Sequence, residues 1–182
     1  MNGTIYQGGA VAAQAQSNLT TAYNAAAGLS PTQVLTGQDL GGLTLLPGVY
    51  FFSSSAGLTG TLVLDFQSVS NQNIVFQIGS TLTTANGSSV VVENLGSNDS
   101  VFWQVGSSAT LGTSTAFVGN ILALTSITQN TGATITNGSA LAQNGAVTLD
   151  GNTINNVPAP ATMLLLGPGL VGLGAVRKRF KK

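Results

Sequence analysis

The sequence predicts a mainly β protein in which short strands stack as the coils of a β-solenoid, with one α-helix beside the stack. Between Phe76 and Ile154, four segments each place an apolar residue directly before a threonine. Related segments recur at offsets of 19, 20 and 27 residues, with glycines and polar turn residues between them. A repeat of about 20 residues is typical of solenoids and leaves room in each coil for three short strands and three turns.

The stretch from about residue 10 to residue 27 is the predicted helix. Its apolar side chains recur at helical spacing and its other face is polar but uncharged, which indicates a helix packed along the side of a sheet. Gly28 and Pro31 follow, where a helix commonly ends. The apolar stripe consists of Val11, Ala15, Leu19, Ala22, Tyr23 and Ala26.

From Leu35 onward the period of the apolar residues changes to two, which predicts strands. Before the clear repeat, Leu43, Leu45, Val49 and Phe51 suggest short inward-facing runs. The repeat itself is visible in three pairs of segments, which are Phe76–Ser80 with Trp103–Ser107, Gly119–Ala123 with Gly138–Ala142, and Ile127-Thr128 with Val147-Thr148.

Side chains alternate between the two faces of a strand, so the apolar members of the repeat are expected to point inward. The predicted core residues are Phe76, Trp103, Val105, Phe117, Leu122, Ile127, Val147 and Leu149. Glycines that follow or precede the strands are expected at the corners of the coils, and these are Gly79, Gly106, Gly119 and Gly138.

The outward-facing residues of the repeat are the candidate functional surface. A threonine has a stiff χ1 angle, so a ladder of threonines at the strand spacing of about 4.8 Å would hold water in a regular array. The predicted first rank is Thr83, Thr110, Thr128 and Thr148, and the predicted second rank is Thr81, Ser108, Ser126, Asn130 and Asp150. Asp150 has the alternative role of capping a turn. Thr131–Thr134 either continues this surface or turns away from it.

Charge and composition exclude several classes of function. Only 5% of the residues are charged, and the chain contains no His and no Cys. All Lys and Arg residues lie between Arg177 and Lys182, so residues 1–176 carry acids only, and nucleic acid is not an expected partner. Without His or Cys, the common zinc sites, a Cys nucleophile and a Ser-His-Asp triad are excluded. We therefore expect no catalytic residue, no metal, no cofactor and no enzymatic activity.

The C-terminal part of the chain differs in character from the body. Val157–Pro160 is proline-rich, Ala161–Val176 is apolar, and the last six residues are basic apart from Phe180. This pattern predicts a hydrophobic helix that anchors the chain transiently in a membrane. The predicted division is a solenoid domain over residues 1–156 and an anchor over residues 157–182. Met1–Thr4 has neither a basic nor an apolar signal-peptide region, so we expect no signal peptide within this chain.

Several stretches of the body together form a specific pattern, and these are residues 10–16, 40–45, 47–50, 75–84, 101–113, 117–123, 130–134 and 145–150. In this combination the body resembles the ice-binding protein family known as DUF3494. The resemblance implies a right-handed, three-sided and discontinuous solenoid with an alongside helix, and adsorption to ice through a face rich in Thr and Ser. Family members usually carry several strands before the helix, so we expect this chain to be N-terminally truncated relative to them.

The tail resembles a PEP-CTERM sorting signal, in which Pro-Glu-Pro precedes an apolar segment and a basic end. Ala159 stands in the place of the glutamate. The resemblance implies an exosortase-type processing enzyme and the membrane as partners. It also implies export to the surface or exterior of a Gram-negative bacterium. The matching motif residues are Pro158, Pro160, Arg177, Lys178 and Arg179.

Two functions are therefore compatible with the sequence. The first is a monomeric ice-binding protein whose partner is ice or ordered water. The alternative is a structural or adhesive protein of the cell surface or matrix without selectivity for ice. Aromatic side chains on the face, on which glycans could stack, would favour this adhesive function. A polysaccharide lyase is disfavoured because residues 1–176 have no cationic group, and a glycosidase because the five acids are scattered along the chain.

Overall fold

The computed structural model describes residues 6–155, which form one helix and 17 strands arranged in three parallel sheets. Successive strands pass from one sheet to the next, so a typical coil contributes one strand to each sheet. Neighbouring strands within residues 6–155 pair in parallel, one residue to one residue. The predicted mainly β solenoid is confirmed.

The three sheets are named A, B and C. Sheet A consists of β1 (Gln33–Val34), β3 (Gly48–Phe52), β6 (Asn73–Ile78), β9 (Ser100–Val105), β12 (Asn120–Ala123) and β15 (Ala140–Ala142). Sheet B consists of β4 (Ala56–Leu58), β7 (Leu82–Thr84), β10 (Ala109–Leu111), β13 (Ile127–Gln129) and β16 (Val147–Leu149). Sheet C consists of β2 (Thr44–Leu45), β5 (Thr61–Asp65), β8 (Ser89–Glu93), β11 (Ala116–Val118), β14 (Thr134–Thr136) and β17 (Thr153–Asn155).

The helix α1 (Gly9–Ala27) covers the outer face of sheet A, which confirms the predicted packing. Its buried residues Leu19 and Ala26 pack with Val75, Phe102 and Leu122, one from each of β6, β9 and β12. Sheet A is consequently buried on both faces, and the buried outer face of its central strands includes Gln77 and Gln104 beside apolar residues. This explains why Leu122, a predicted core residue, is buried beneath the helix rather than inside the coils.

Two glutamines tie the helix to the sheet. The buried side-chain amide of Gln77 donates to the carbonyl oxygens of Ala26 at 2.7 Å and Leu29 at 2.8 Å. The amide of Gln16 donates to the carbonyl oxygen of Gln143, just after β15, at 2.8 Å. The helix therefore runs from β15 to β6, in agreement with its rise of about 15 Å over ten residues and three strand spacings of about 4.8 Å.

The N-terminal part of the helix extends beyond sheet A. Residues 9–15 precede the Gln16 contact, and their length corresponds to about 10 Å, or about two further strand spacings. Val11 is 56% exposed and Ala15 is also exposed. The predicted apolar stripe is thus buried only in its C-terminal half, because no described strand lies under the other half.

The core between the three sheets contains a row of aromatic rings, of which the first three are stacked and the last is tilted. Tyr50, Phe76, Trp103 and Phe117 follow one another, and the rings of Phe76 and Trp103 are nearly parallel with centroids 3.8 Å apart. The indole N–H of Trp103 donates to the carbonyl oxygen of Val118 at 3.0 Å, so burial leaves no polar atom of this ring unpaired.

Two of the expectations about inward-facing residues are wrong. In β3, Tyr50 and Phe52 are the residues buried in the core, whereas Val49 packs on the helix side and Phe51 is only half-buried. An apolar strand with both faces covered gives no alternation from which to choose the inward face.

Val147 and Leu149, also predicted core residues, are 38% and 44% exposed. They belong to β16, the last strand of sheet B, and no described coil packs on its far side. The remaining predicted core residues are buried.

The predicted corner glycines lie where successive coils approach closely. A Cβ on Gly106 would stand 2.5 Å from the carbonyl oxygen of Gly79, and one on Gly138 would stand 1.9 Å from that of Gly119. Gly119 also has a φ of +104°, which favours glycine. Any side chain at these positions would force neighbouring coils apart.

No helix among residues 6–155 is long and apolar enough to cross a membrane. The predicted C-terminal hydrophobic helix, residues 161–176, lies outside the described residues, as do the motif residues from Pro158 to Arg179.

Replacement of Gln77 by Met is expected to lower the free energy of unfolding by about 1–3 kcal/mol, because buried carbonyl groups at the end of the helix lose their donor. Urea denaturation followed by circular dichroism measures the change. Gln38→Met, at an exposed loop position, is the matched control and should have little effect. Equal stabilities of the two variants would contradict the role assigned to Gln77.

Candidate functional site

The predicted first rank of threonines forms one in-register row on the outer face of sheet B. Thr83 pairs with Thr110, Thr110 with Thr128, and Thr128 with Thr148, one from each of four adjacent strands. Gly57 of β4 precedes them in the same row. Neighbouring threonines are thus separated by one strand spacing of about 4.8 Å. None of the outer positions of these five strands carries an aromatic ring.

The side chains beside each threonine fix its direction. Leu82, Ala109 and Ile127 immediately precede three of these threonines and are buried in the core. Since successive side chains alternate between faces, burial of these residues turns the threonines outward. Thr83 and Thr148 are exposed, whereas Thr110 and Thr128 are half-buried between their neighbours in the row.

Part of the predicted second rank forms a parallel row at the edge of sheet B where its strands begin. Backbone carbonyl groups of Thr81, Ser108 and Ser126 each accept a hydrogen bond from the neighbouring coil, at 2.9, 3.2 and 2.9 Å. The Thr81 hydroxyl donates to that of Ser55 at 2.9 Å, so Ser55 extends the row. Ser55 was not predicted from the sequence, because the residue two positions after it is Gly57 and not a threonine as in the other coils.

Asn130 and Asp150 lie at the opposite edge, where the strands of sheet B end. The Thr131 hydroxyl donates to the Asp150 carboxylate, and the Asp150 N–H donates to the side chain of Asn152. The Asp150 carboxylate therefore bonds to the neighbouring coil, and the backbone at Asp150 is held by the side chain of Asn152. Thr113 and Thr131 line the same edge, since the N–H of Ser114 donates to the carbonyl oxygen of Thr131 at 3.0 Å. Thr113 and Thr131 lie 18 residues apart, which is about the length of one coil, and this spacing could have identified Thr113 from the sequence.

The segment Thr131–Thr134 turns from sheet B to sheet C. Ala133 is buried at the corner, and Thr134 begins β14. Only Thr131 of this segment therefore borders the face of sheet B.

Sheet C presents a second open face, but one of different chemistry. Its outer positions include the half-buried Val63 and the exposed Val91, and Asp65 pairs in register with Glu93. The Asn94 amide donates to the Asp65 carboxylate and, together with the Gln67 N–H, lowers the pKa of Asp65. Two neighbouring carboxylates thus occupy this face, whereas the central row of sheet B carries none.

Charge is nearly absent from the surroundings of sheet B. The Asp39 carboxylate lies beside Gly57 and accepts hydrogen bonds from the N–H groups of Gly41 at 2.7 Å and Thr59 at 3.0 Å. Asp150 lies at the other end of the stack. The four threonines between them form an uncharged surface of hydroxyl and methyl groups in a fixed array.

Comparison with known proteins identifies the family. Residues 1–155 match the family model described as Ice-binding-like. The chain belongs to this family. Residues 156–179 match the PEP-CTERM protein-sorting motif.

Relatives of the chain carry the same description. A protein from Nostoc sp. (strain HG1), named an ice-binding protein, is 58% identical over 100% of this chain and 72% of the relative. A Colwellia sp. ice-binding protein is 41% identical over 78% of this chain and 55% of its own length. The chain thus spans little more than half of the Colwellia relative.

Solved structures in the family have the same fold. The crystal structure of an ice-binding protein from the Antarctic ascomycete Antarctomyces psychrotrophicus matches with a TM-score of 0.74 and 42% sequence identity. The match covers 79% of this chain and 70% of that structure.

Replacement of Gly106 by Ala is expected to destabilise the solenoid by about 1–3 kcal/mol, the usual cost of overpacking. The new methyl group would meet the carbonyl oxygen of Gly79 and push apart the coils that carry Thr83 and Thr110. Thermal unfolding measures the loss. Ser107→Ala, one residue further along the same corner, is the control, and a Gly106→Ala protein as stable as the control would refute the expected clash.

Proposed function

We propose that the chain binds ice through the outer face of sheet B. The surface comprises the row Thr83, Thr110, Thr128 and Thr148, the edge row Thr81, Ser108 and Ser126, and the opposite edge with Asn130 and Asp150. The single observation that carries this proposal is the one-to-one register of the four central threonines. Family membership supports it independently.

Binding would follow from the regularity of this surface. Adjacent strands repeat at about 4.8 Å, and residues two apart along a strand repeat at about 6.7 Å. Both distances are close to repeats of oxygen atoms on ice. The hydroxyl groups would anchor water molecules, and the methyl groups between them would order the first water layer without offering competing hydrogen bonds. A charged side chain would orient its own hydration shell instead, so an uncharged central row suits the task.

The surface favours ice over the adhesive alternative. Binding of glycans commonly uses aromatic rings as stacking platforms, and the outer positions of the strands in sheet B carry glycine and threonine. We further propose that the chain acts as a monomer and has no enzymatic activity, since one continuous face is sufficient for adsorption.

We also propose that residues 157–182 direct the solenoid domain, residues 1–156, to the surface or exterior of a Gram-negative cell. An apolar segment would hold the chain in the membrane, the basic end would remain on the cytoplasmic side, and an exosortase-type enzyme would act at the Pro158–Pro160 motif. The match of residues 156–179 to the sorting motif supports this route.

Thr110→Tyr is expected to abolish most ice activity while leaving the fold intact, because a ring in the middle of the row would hold the ice surface away from its neighbours. The concentration needed to inhibit ice recrystallisation should rise by at least about tenfold, which corresponds to about 1.4 kcal/mol of adsorption free energy. Thr136→Tyr, on the outer face of sheet C, is the matched control. A folded Thr110→Tyr protein as active as this control would exclude sheet B as the binding face.

Replacement of both Pro158 and Pro160 by Ala is expected to block processing of the tail. In a Gram-negative host with an exosortase, the variant should accumulate at full length in the membrane fraction, whereas the wild type should appear outside the cell as a shorter product. Mass spectrometry of both fractions measures the difference. Pro47→Ala, in the body of the chain, is the control. Equal processing of the double variant and the wild type would remove the motif from the proposed route.

A further inference from the structure

The central row on the outer face of sheet B continues past β4 to an acidic residue. Gly57 of β4 pairs in register with Thr83, and on its other side Gly57 forms an isolated parallel bridge with Asp39. Leu40 is fully buried, so alternation turns the preceding Asp39 outward, onto the face that carries the threonines. One end of the threonine row is therefore occupied by a carboxylate.

This carboxylate is held in one position. Its Oδ1 accepts hydrogen bonds from the N–H groups of Gly41 at 2.7 Å and Thr59 at 3.0 Å, and its Oδ2 accepts one from the Thr59 hydroxyl at 3.1 Å. The backbone beside it is fixed as well, because the N–H of Leu40 donates to the carbonyl oxygen of Gly57 at 2.9 Å. The negative charge of Asp39 thus has a defined place at the end of the row.

Gly57 leaves space for the carboxylate. A Cβ at this position would lie only 3.2 Å from the Asp39 Oδ2, which is tighter than an ordinary contact. The same coil keeps hydroxyl groups on both sides of Gly57, at Ser55 and Thr59, and lacks one only at the centre. The Asp39 side chain therefore stands beside the place of a further threonine, about one strand spacing of 4.8 Å from Thr83.

We propose, on the basis of the proposed function of sheet B, that Asp39 ends the ice-binding surface at Thr83 and so determines how many coils contact ice. A carboxylate is costly to strip of its water and orients that water around its own charge. The ordered layer that fits the threonines cannot continue across it. Ice therefore contacts the coils of β7, β10, β13 and β16, and the coil of β4 stays outside the contact.

Asp39→Asn in the full-length chain tests the role of the charge, because the amide oxygen can accept the same two N–H groups while the charge is lost. The variant is expected to inhibit ice recrystallisation at a concentration at least about threefold lower than the wild type, since the coil of β4 joins the surface. Asp65→Asn, on sheet C, is the matched control. It removes one charge of the same kind and should leave this concentration unchanged.

A second pair of variants locates the boundary without altering Asp39. Ser55 and Thr81 hold equivalent edge positions in neighbouring coils, and the Thr81 hydroxyl donates to that of Ser55 at 2.9 Å. Thr81→Tyr should raise the concentration needed at least about tenfold. Ser55→Tyr should have little effect in the wild-type background, but should cancel the gain of Asp39→Asn. Circular dichroism verifies that each variant is folded.

The outcomes separate this boundary from the binding face itself. Asp39→Asn with no gain over Asp65→Asn would refute the boundary, and so would an equal gain in both, which would reflect net charge alone. A loss of activity in Ser55→Tyr as large as that in Thr81→Tyr would place the coil of β4 within the contact and also overturn the proposal. If Thr110→Tyr kept full activity, the binding face and its boundary would both be wrong.

Discussion

Each strand hydrogen-bonds in parallel to the equivalent strand of the next coil, at a spacing of about 4.8 Å, and this spacing constrains every side chain on the sheets. It brings Phe76 and Trp103 into ring contact inside the solenoid and sets Thr83, Thr110, Thr128 and Thr148 in one row outside it. It also leaves no room for a side chain at Gly106 or Gly138. The interior packing and the outer surface thus derive from the same backbone ladder.

The position of the helix determines which sheet faces remain open to solvent. By covering sheet A, α1 removes that sheet from solvent and gives its central strands two buried faces. Sheets B and C stay open, and their chemistry differs through the carboxylates of Asp65 and Glu93 on sheet C. Sheet B therefore keeps an uncharged face, on which four successive short strands each place one threonine.

Much of this arrangement could be predicted from the sequence because it depends on local repetition. The apolar–threonine pairs gave both the register and the outward direction of the central row, and the spaced glycines marked the corners. The inward face of β3 was not predictable, since Gly48–Phe52 is apolar on both sides and alternation carries no information there. The exposure of Val147 and the role of Ser55 depend on which coils are neighbours in space, and single segments do not reveal this.

The one-to-one register also determines which changes of length the chain can tolerate. Insertion of one residue within a strand of sheet B would exchange the two sides of that strand, sending a threonine into the interior and an aliphatic residue into water. Duplication or loss of a whole coil would leave every remaining side chain facing as before. Stacked coils contribute to stability approximately as a sum over neighbours, so such a change shortens or lengthens the molecule without redesigning it. The length of the threonine row can therefore change in steps of one coil while its lateral pattern stays constant.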